Sequence, residues 1–146
     1  MITKIKKLNE KAKIPSRGSS RAAGYDLYAA MKEEAVVIRP QETVKIGTGL
    51  AIQPPNGYFG AIFARSGLAT KLGIRPANCV GVCDEDYTGE YIVALHNDSD
   101  DPVSIKNGDR IAQLVLLPWM NMDFIEVNEL NETERGAGGF GSTGKN

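Results

Sequence analysis

The stretch TVKIGTGLAIQPP, residues 43 to 55, has the pattern of a long β-strand that ends in a turn. Its large apolar residues share one parity, and they are Val44, Ile46, Leu50 and Ile52. A period of two places these side chains on one face of a sheet, whereas an amphipathic helix has a longer period. The two prolines and the Asn-Gly pair that follow are typical of a turn. The stretch therefore predicts a strand with one buried face.

The same period extends along the chain. GEYIVALHN, residues 89 to 97, alternates in the same way, while DRIAQLVLLP, residues 109 to 118, is apolar at both parities, as in a strand covered on both faces. Turn residues recur at short intervals, and residues 66 to 73 form the one plausible helix. This pattern predicts an all-β domain, an antiparallel sandwich or barrel, over residues 1–130. A loose, glycine-rich C-terminal arm is expected over residues 131–146.

The composition is that of an ordinary globular domain. The 146 residues are 42% hydrophobic and 24% charged, and no apolar run approaches the length of a membrane span. The net charge of −1 argues against direct nucleic-acid binding. The N-terminus has no apolar segment typical of a secretory signal, so we expect a cytoplasmic protein without membrane contact. Seven of the 17 Lys and Arg residues fall within the first 21 positions, which we interpret as the exposed face of an edge strand.

The two cysteines are too few for a disulfide framework. Cys79 and Cys83 are four positions apart, and the chain has a single histidine to assist them as metal ligands. We therefore expect both cysteines to be small apolar core residues in a reducing compartment.

The C-terminal stretch GGFGSTGKN resembles the phosphate-binding P-loop pattern, but its context is wrong. Asn146 stands where that pattern has a hydroxyl residue, and the preceding NETERGAG is polar and glycine-rich rather than a buried strand. Two interpretations remain. The segment is either a solvated terminus, or a flap that closes over a ligand with its backbone amides, Arg135 and Phe140.

Polar residues in apolar surroundings mark candidate sites. Asp84, Glu85 and Asp86 follow the apolar CVGVC directly, so a partly desolvated carboxylate beside Tyr87 is a candidate base or sugar ligand, although a solvated acidic turn is the simpler alternative. Extended backbone would point Asp84 and Asp86 the same way. Arg65 and the helix start after it predict either an anion site or a surface ion pair with Ser66 as N-cap.

Two further polar residues lie within predicted strands. Asp26 has apolar neighbours, and a buried carboxylate needs a partner or a metal. Gln113 interrupts an otherwise apolar strand, which indicates a position in a binding site or a subunit interface.

These stretches together resemble a known family. In order and spacing they are similar to the five motifs of the trimeric dUTP pyrophosphatases (dUTPases), and they read AGYDLYAA (23–30), ARSGLATK (64–71), GVCDEDYTGEY (81–91), GDRIAQLVL (108–116) and RGAGGFGSTG (135–144). The resemblance implies an antiparallel β-jelly roll of the β-clip type. It also implies a homotrimer with sites shared between chains, in which the flexible C-terminal arm closes over the active site of another subunit.

The resemblance also implies roles for individual residues. Asp84 would orient and deprotonate the attacking water, and Gln113 would contact the phosphates near the reacting centre. Asp26 would face the water shell of a Mg²⁺ ion that the substrate phosphates hold. The substrate-binding residues would be Arg65, Ser66 and Gly67 for the phosphates, Tyr87 for the deoxyribose, Asn78 and Gly81 in the hairpin backbone for uracil, Phe140 for stacking on uracil, and Arg135, Gly141, Ser142 and Thr143 for closing over the γ-phosphate.

The implied reaction is hydrolysis of dUTP to dUMP and pyrophosphate by attack of water on the α-phosphorus. This reaction keeps uracil out of DNA and supplies dUMP for dTMP synthesis. Two alternatives are weighed against it. A dCTP deaminase resembles the chain over DEDYTGEYIVALHN, but it carries a proton-shuttling glutamate where this sequence has Ala94. A non-catalytic jelly-roll binding module would not need Asp84, Tyr87, Gln113 and Phe140 together.

Overall fold

A computed structural model describes residues 2–139, and this part of the chain is built almost entirely of β-strands. Its elements, in chain order, are β1 (Lys4–Lys7), β2 (Tyr25–Tyr28), β3 (Ala35–Ile38), β4 (Thr43–Gln53), β5 (Tyr58–Phe63), α1 (Ser66–Leu72), β6 (Ile74–Pro76), β7 (Val80–Cys83), β8 (Glu90–Asn97), β9 (Val103–Lys106) and β10 (Arg110–Pro118). Within these residues no helix has the length and apolar character that a membrane-spanning helix requires. The predicted all-β class and the short helix are confirmed.

The first sheet has the strand order β1-β4-β8-β6, with all pairs antiparallel. Strand β4 is the segment with period two, and its residues Ile46, Leu50 and Ile52 are buried, as predicted. The β4–β8 register shifts between Gly47 and Ala51, and Gly49 in this interval has a φ of +65°, which glycine adopts without strain. Strand β1 is an edge strand with exposed lysines, which confirms the interpretation of the basic N-terminus for Lys4, Lys6 and Lys7, whereas the other four basic residues lie outside this strand.

The second sheet has the antiparallel order β2-β10-β5-β7 and carries most of the candidate site residues. Its strand β10 is buried at Ile111, Ala112 and Leu114, while the following residues to Leu117 are half-buried. The prediction of cover on both faces therefore holds for the first half of β10. A third, two-stranded sheet pairs β3 with β9.

One hydrophobic cluster joins the sheets. It takes residues from both four-stranded sheets and from the β3–β9 pair, among them Leu27, Ile38, Ile46, Leu95, Ile105 and Ile111. Side chains from facing sheets that fill one core are the expected outcome of alternating strands in a sandwich. The antiparallel β-jelly roll that the family resemblance implied agrees with this arrangement.

Three expectations need correction. Cys79 is exposed rather than buried, because it occupies a turn between β6 and β7 with a φ of +61°, and Cys83 is half-buried. The hairpin expected around Asn78 is a crossover, since β6 pairs with β8 and β7 pairs with β5. The acidic stretch after β7 is not extended, because the amide of Tyr87 donates to the carbonyl of Asp84 and closes a turn.

The last strand ends at Pro118, and residues 119–139 contain neither helix nor strand. This segment exposes several large apolar side chains, which are Met120, Met122, Phe124, Ile125, Val127 and Leu130. The predicted boundary at residue 130 between a domain and an arm remains a prediction.

Candidate functional site

A buried carboxylate lies between two arginines at one end of the second sheet. Asp26 on β2 is 5% exposed, and its two oxygens accept from different guanidinium groups. Arg65 Nε donates to Oδ1 at 3.0 Å, and Arg110 Nη1 donates to Oδ2 at 3.2 Å. The partner that the sequence required for Asp26 is therefore a pair of arginines. Charge-assisted bonds of this kind orient the guanidinium groups, and Arg65 remains 24% exposed for a ligand.

Gln113 lies beside this cluster. On β10 it is directly opposite Asp26 on one side and Phe63 on the other, and residues opposite one another in an antiparallel pair share a face. Gly24 leaves the room for the Gln113 side chain, since a Cβ at Gly24 would lie 3.3 Å from that of Gln113. Gln113 is therefore next to the buried Asp26, and its place in a binding site or a subunit interface stays a prediction.

Arg65 also introduces helix α1. It is the N-cap residue, no side chain caps the helix there, and Ser66 and Gly67 are the first two helical residues. The alternative of a surface ion pair with Ser66 as N-cap is wrong on both counts, because Arg65 pairs with a buried carboxylate and stands at the cap itself. Ser66 and Gly67 thus follow Arg65 directly in the chain, and Gln113 lies opposite Asp26.

The acidic turn lies elsewhere on the same sheet. Asp84 and Asp86 are exposed, while Glu85 is held between them by two hydrogen bonds. Its Oε2 accepts from the backbone amide of Gly57 at 2.7 Å and from the indole nitrogen of Trp119 at 3.0 Å. The turn borders a cavity of about 700 Å³, lined by Gln53, Pro54, Asn56, Phe59, Val82, Asp84, Glu85, Asp86 and Trp119. Asp84 is thus an exposed carboxylate on an anchored turn.

Tyr87 follows the acidic turn and is fixed by its neighbours. Its hydroxyl donates to the carbonyl of Glu90 at 2.9 Å, and its ring covers Gly89, where a Cβ would lie 2.6 Å from the hydroxyl oxygen. The ring centroid is 6.2 Å from that of Tyr91, with 32° between the planes. Tyr87 is still 44% exposed, so its ring is available to a ligand.

Two titratable groups lie next to this turn, the half-buried Cys83 and the buried Tyr91. Burial raises the pKa of the Cys83 thiol to about 11, the Tyr91 hydroxyl lowers it, and the Asp84 carboxylate raises it further. Burial also raises the pKa of Tyr91, and the neighbouring Cys83 adds to this effect. Both groups are therefore neutral at physiological pH, and Cys83 is a poor nucleophile there.

The remaining predicted residues lie apart from these clusters. Asn78 lies in the turn before β7. Gly81 on β7 leaves room for the side-chain amide of Asn78, since a Cβ at position 81 would lie 3.2 Å from Asn78 Nδ2. Arg135 forms a local turn, with Nε donating to the carbonyl of Gly138 at 2.9 Å. The predicted residues Phe140, Gly141, Ser142 and Thr143 lie outside the described residues.

The structure does not bring the two halves of the predicted site together within one chain. Asp84 directly follows β7, and the strand register places it opposite Phe59 on the neighbouring strand β5. Phe59 precedes Arg65 by six residues in the chain. At about 3.3 Å per residue this separates the two residues by roughly 20 Å. Arg65 is also directed toward β2, on the far side of the sheet from β7.

Comparison with known proteins identifies the family. The dUTPase family model matches residues 10–144. The chain belongs to the dUTPase family. It is 51% identical over 145 residues to the deoxyuridine 5'-triphosphate nucleotidohydrolase of Nautilia profundicola, covering 99% of this chain and all of that protein. The human mitochondrial deoxyuridine 5'-triphosphate nucleotidohydrolase is 45% identical over all 146 residues, which cover 56% of the human protein.

Solved dUTPase structures share this fold. A Staphylococcus bacteriophage 80alpha dUTPase variant with dUpNHpp has a TM-score of 0.88 at 30% identity, over 98% of both chains. A dUTPase variant from phage phi11 of S. aureus, described with a structural Mg(II) ion, has a TM-score of 0.80 at 26% identity, over 90% of this chain and all of that one.

The residues around Asp26 can be compared with the needs of a divalent ion. Residues 2–139 contain no group of three or more His, Cys, Asp or Glu side chains able to hold an ion. Both oxygens of Asp26 accept from arginines, so this carboxylate is not free to be a direct ligand. These residues fit a divalent ion that substrate phosphates hold, with Asp26 acting through water at most.

Three residues of the dUTPase site region escaped the sequence prediction. Arg110 is the second partner of Asp26, Trp119 anchors Glu85, and Tyr91 packs under Tyr87. Arg110 lies in the motif GDRIAQ. The need of a buried Asp for a cationic partner could have identified this arginine from the sequence. Tyr91 resembled an ordinary strand residue, Trp119 followed the last predicted strand, and only the tertiary structure brings these two residues to the acidic turn.

Proposed function

We propose that this chain hydrolyses dUTP to dUMP and pyrophosphate. The observation that carries the proposal is the near-complete match to a deoxyuridine 5'-triphosphate nucleotidohydrolase, 51% identical over 145 residues. One water is consumed, and the bond between the α-phosphorus and the bridging oxygen breaks. The cellular role is to keep uracil out of DNA and to supply dUMP for dTMP synthesis, and we place the enzyme in the cytoplasm.

The phosphates bind at the Arg65 end of the second sheet. Asp26 holds the Arg65 guanidinium in place, so little side-chain entropy is lost when a phosphate binds. Ser66 and Gly67 offer a hydroxyl and a backbone amide next to it, and Gln113 adds an amide group on the same side of the sheet. Phosphoryl transfer depends mainly on positioning and charge stabilisation, which this set of donors supplies.

The nucleoside and the attacking water bind along β7 and the turn that follows it. Asp84 is an exposed carboxylate on a turn that Glu85 anchors, so it is available to orient and deprotonate one water. Tyr87 packs against the deoxyribose, and its fixed ring leaves no volume for a ribose 2′-hydroxyl. Asn78 and the backbone through Gly81 bind the polar edge of uracil.

The complete site requires more than one copy of the chain. Arg65 and Asp84 are too far apart within one chain to act on a single phosphate, so each copy contributes to two different sites. We assign the assembly as a homotrimer. The exposed apolar side chains between Met120 and Leu130 support an interface, since monomers rarely expose so many in one segment. The arm over residues 131–146 then brings Arg135, Phe140, Gly141, Ser142 and Thr143 to another subunit's site.

We assign Mg²⁺ as the cofactor, held by the substrate phosphates, with Asp26 facing its water shell. When bound, the ion neutralises negative charge on the phosphates. The Asp26 carboxylate keeps Arg65 directed at the phosphates whether or not the ion is present.

The test is pyrophosphate release from dUTP, dCTP, dTTP and UTP side by side, with and without Mg²⁺. We expect dUTP to be hydrolysed far faster than the other three. Ammonia release from dCTP is measured in the same samples, because it would indicate a deaminase. Absence of pyrophosphate release from dUTP in a folded protein with Mg²⁺ would overturn the proposal.

A further inference from the structure

Tyr91 is an unusual core residue. It lies on β8, in the sheet opposite the candidate site, and is 1% exposed. Its hydroxyl is buried and makes no hydrogen bond with any described residue, a situation that normally carries an energetic cost. The hydroxyl lies against β5, 2.9 Å from where a Cβ of Gly60 would be. A glycine at position 60 therefore makes the room that this large side chain requires.

The same side chain contacts both ends of the loop that carries the site residues. Gly60 is directly opposite Cys83, the last residue of β7, so the Tyr91 hydroxyl that lies over Gly60 is also close to Cys83. At the other end of the loop, the Tyr91 ring packs against the ring of Tyr87. A centroid separation of 6.2 Å with tilted planes is within the range of favourable aromatic pairs. Tyr91 thus lies beneath the segment from Asp84 to Gly89.

Two other contacts of the Tyr87 side chain are with its neighbours in the chain. Its hydroxyl bonds one carbonyl, that of Glu90, and its ring covers Gly89, which has no side chain. Of the residues from 84 to 90, the only large apolar side chain is Tyr87 itself. The Tyr91 ring is therefore the aromatic surface against which Tyr87 is held.

We propose that Tyr91 is a positioning residue, which holds the Tyr87 ring against the substrate sugar and so contributes to discrimination against ribonucleotides. The inference rests on the proposed function, because it assigns Tyr91 a role in that same site. The ring of Tyr91 carries the effect, and its hydroxyl does not. A Tyr87 ring without this support rotates or recedes, and the site then admits a 2′-hydroxyl more readily.

The test compares two substitutions that separate the ring from the hydroxyl. Tyr91→Phe keeps the ring and removes the unpartnered hydroxyl, whereas Tyr91→Leu removes the ring. The measured quantity is the ratio of kcat/KM for dUTP to kcat/KM for UTP. We expect Tyr91→Phe to leave this ratio unchanged and Tyr91→Leu to lower it by about three- to tenfold, the size expected for one aromatic pair. The dUTP/dCTP ratio is expected to stay constant in both variants, because Asn78 and Gly81 are not contacted.

A double substitution makes the assignment specific. In a Tyr87→Ala background, Tyr91→Leu should change the dUTP/UTP ratio no further, since the ring it supports is gone. If Tyr91→Leu does not fold, Tyr91→Met replaces it as a larger, flexible side chain without a ring. The inference is overturned if a folded variant without the Tyr91 ring keeps the dUTP/UTP ratio of kcat/KM. It is also overturned if Tyr91→Phe lowers this ratio as much as Tyr91→Leu does. Inactivity of the wild-type protein on dUTP would overturn the proposed function instead.

Discussion

Arg65 and Asp84 lie on neighbouring strands of one sheet but at opposite ends of them. Arg65 follows the C-terminal end of β5, while Asp84 follows β7 at the level where β5 begins. The ion pair with Asp26 draws Arg65 still further away, toward the opposite edge of the sheet. If both groups act on one triphosphate, as proposed, they cannot do so within a single chain, and the separation supports a shared site.

Subunit complementation tests this separation. Arg65→Ala and Asp84→Asn are each expected to be inactive, and Arg65→Ala should still fold because Arg110 also pairs with Asp26. Mixed trimers contain sites with Arg65 from one variant and Asp84 from the other. With random exchange at equal amounts, about one quarter of the sites are intact, because each required residue is present with a probability of one half.

The measurement is dUTP hydrolysis after the two variants are unfolded and refolded together. Each variant refolded alone is the control, and two different affinity tags demonstrate that mixed assemblies form. Mixed assemblies with no more activity than the two parents would mean that Arg65 and Asp84 serve the same chain's site.

Asp84→Asn alone tests the general base. Asp84 is exposed, and only its backbone carbonyl takes part in the turn, so the substitution should leave the fold intact. We expect kcat to fall by at least about 100-fold, the usual contribution of a general base, with dUTP binding retained. Asp86→Asn is the matched control, since it changes an exposed carboxylate of the same turn. Near-normal turnover in folded Asp84→Asn, with loss in Asp86→Asn, would reassign the base to Asp86.

Asp26→Asn tests whether the Asp26 carboxylate orients Arg65. The substitution removes the negative charge that two arginines share, and a buried charge network that loses one member is destabilised. Because Arg65 and Arg110 are partly exposed, we expect a loss of about 1–3 kcal/mol in the free energy of unfolding, together with a higher KM for dUTP. Urea unfolding at fixed protein concentration measures the free energy of unfolding, and steady-state kinetics with dUTP measure KM. Unchanged stability and unchanged KM would show that Arg65 needs no carboxylate to hold it.

The sequence predicted those features that depend on local pattern. Period two identified β4, and an amide within an apolar run marked Gln113 as a site residue, although its role in the reaction remains a prediction. The burial of Asp26 was predictable from its neighbours, but its second partner Arg110 was not, because that contact depends on the pairing of β2 with β10. The exposure of Cys79 was missed because a positive φ in a non-glycine residue leaves little trace in sequence.

Alkaline pH should destabilise the protein through the half-buried thiol of Cys83. Burial raises the pKa of Cys83 to about 11, from a usual value near 9, so between these values the folded protein keeps a proton that the unfolded chain releases. The contribution of Cys83 to stability is therefore complete below pH 9 and lost as the pH rises through about 11. Tyr91, whose pKa burial also raises, acts in the same direction at higher pH.

Thermal melting between pH 8 and 11 measures this dependence. Cys83→Val keeps the side chain apolar and of similar size, and it should flatten the decline between pH 9 and 11. Cys79→Ser is the control, because it removes an exposed thiol and should leave the profile unchanged. An identical decline in Cys83→Val and in the wild-type protein would contradict the assignment to Cys83.

The C-terminal arm is expected to serve the reaction rather than the fold. Truncation after Glu134 removes Arg135 and all residues beyond it, and the hydrophobic cluster contains none of these among the residues described. The truncated protein should therefore remain a folded trimer, with a ligand-free Tm close to that of the full chain. Turnover should collapse, because the γ-phosphate loses Arg135 and the glycine-rich amides, and water enters the site.

Phe140→Ala is the milder test of the same arm. Stacking of an aromatic ring on a nucleobase contributes roughly 1–3 kcal/mol, so kcat/KM for dUTP should fall by about one to two orders of magnitude. Lys145→Ala is the matched control, since the family motif ends at Gly144 and the substitution should leave kcat/KM within about twofold. Tm values without ligand should be equal for the full chain and all three variants, whereas a non-hydrolysable dUTP analogue should raise the Tm of the full chain more than that of the truncated one. Full activity after truncation would mean that the segment is only a solvated terminus, and that Arg65 and Gln113 bind the triphosphate without it.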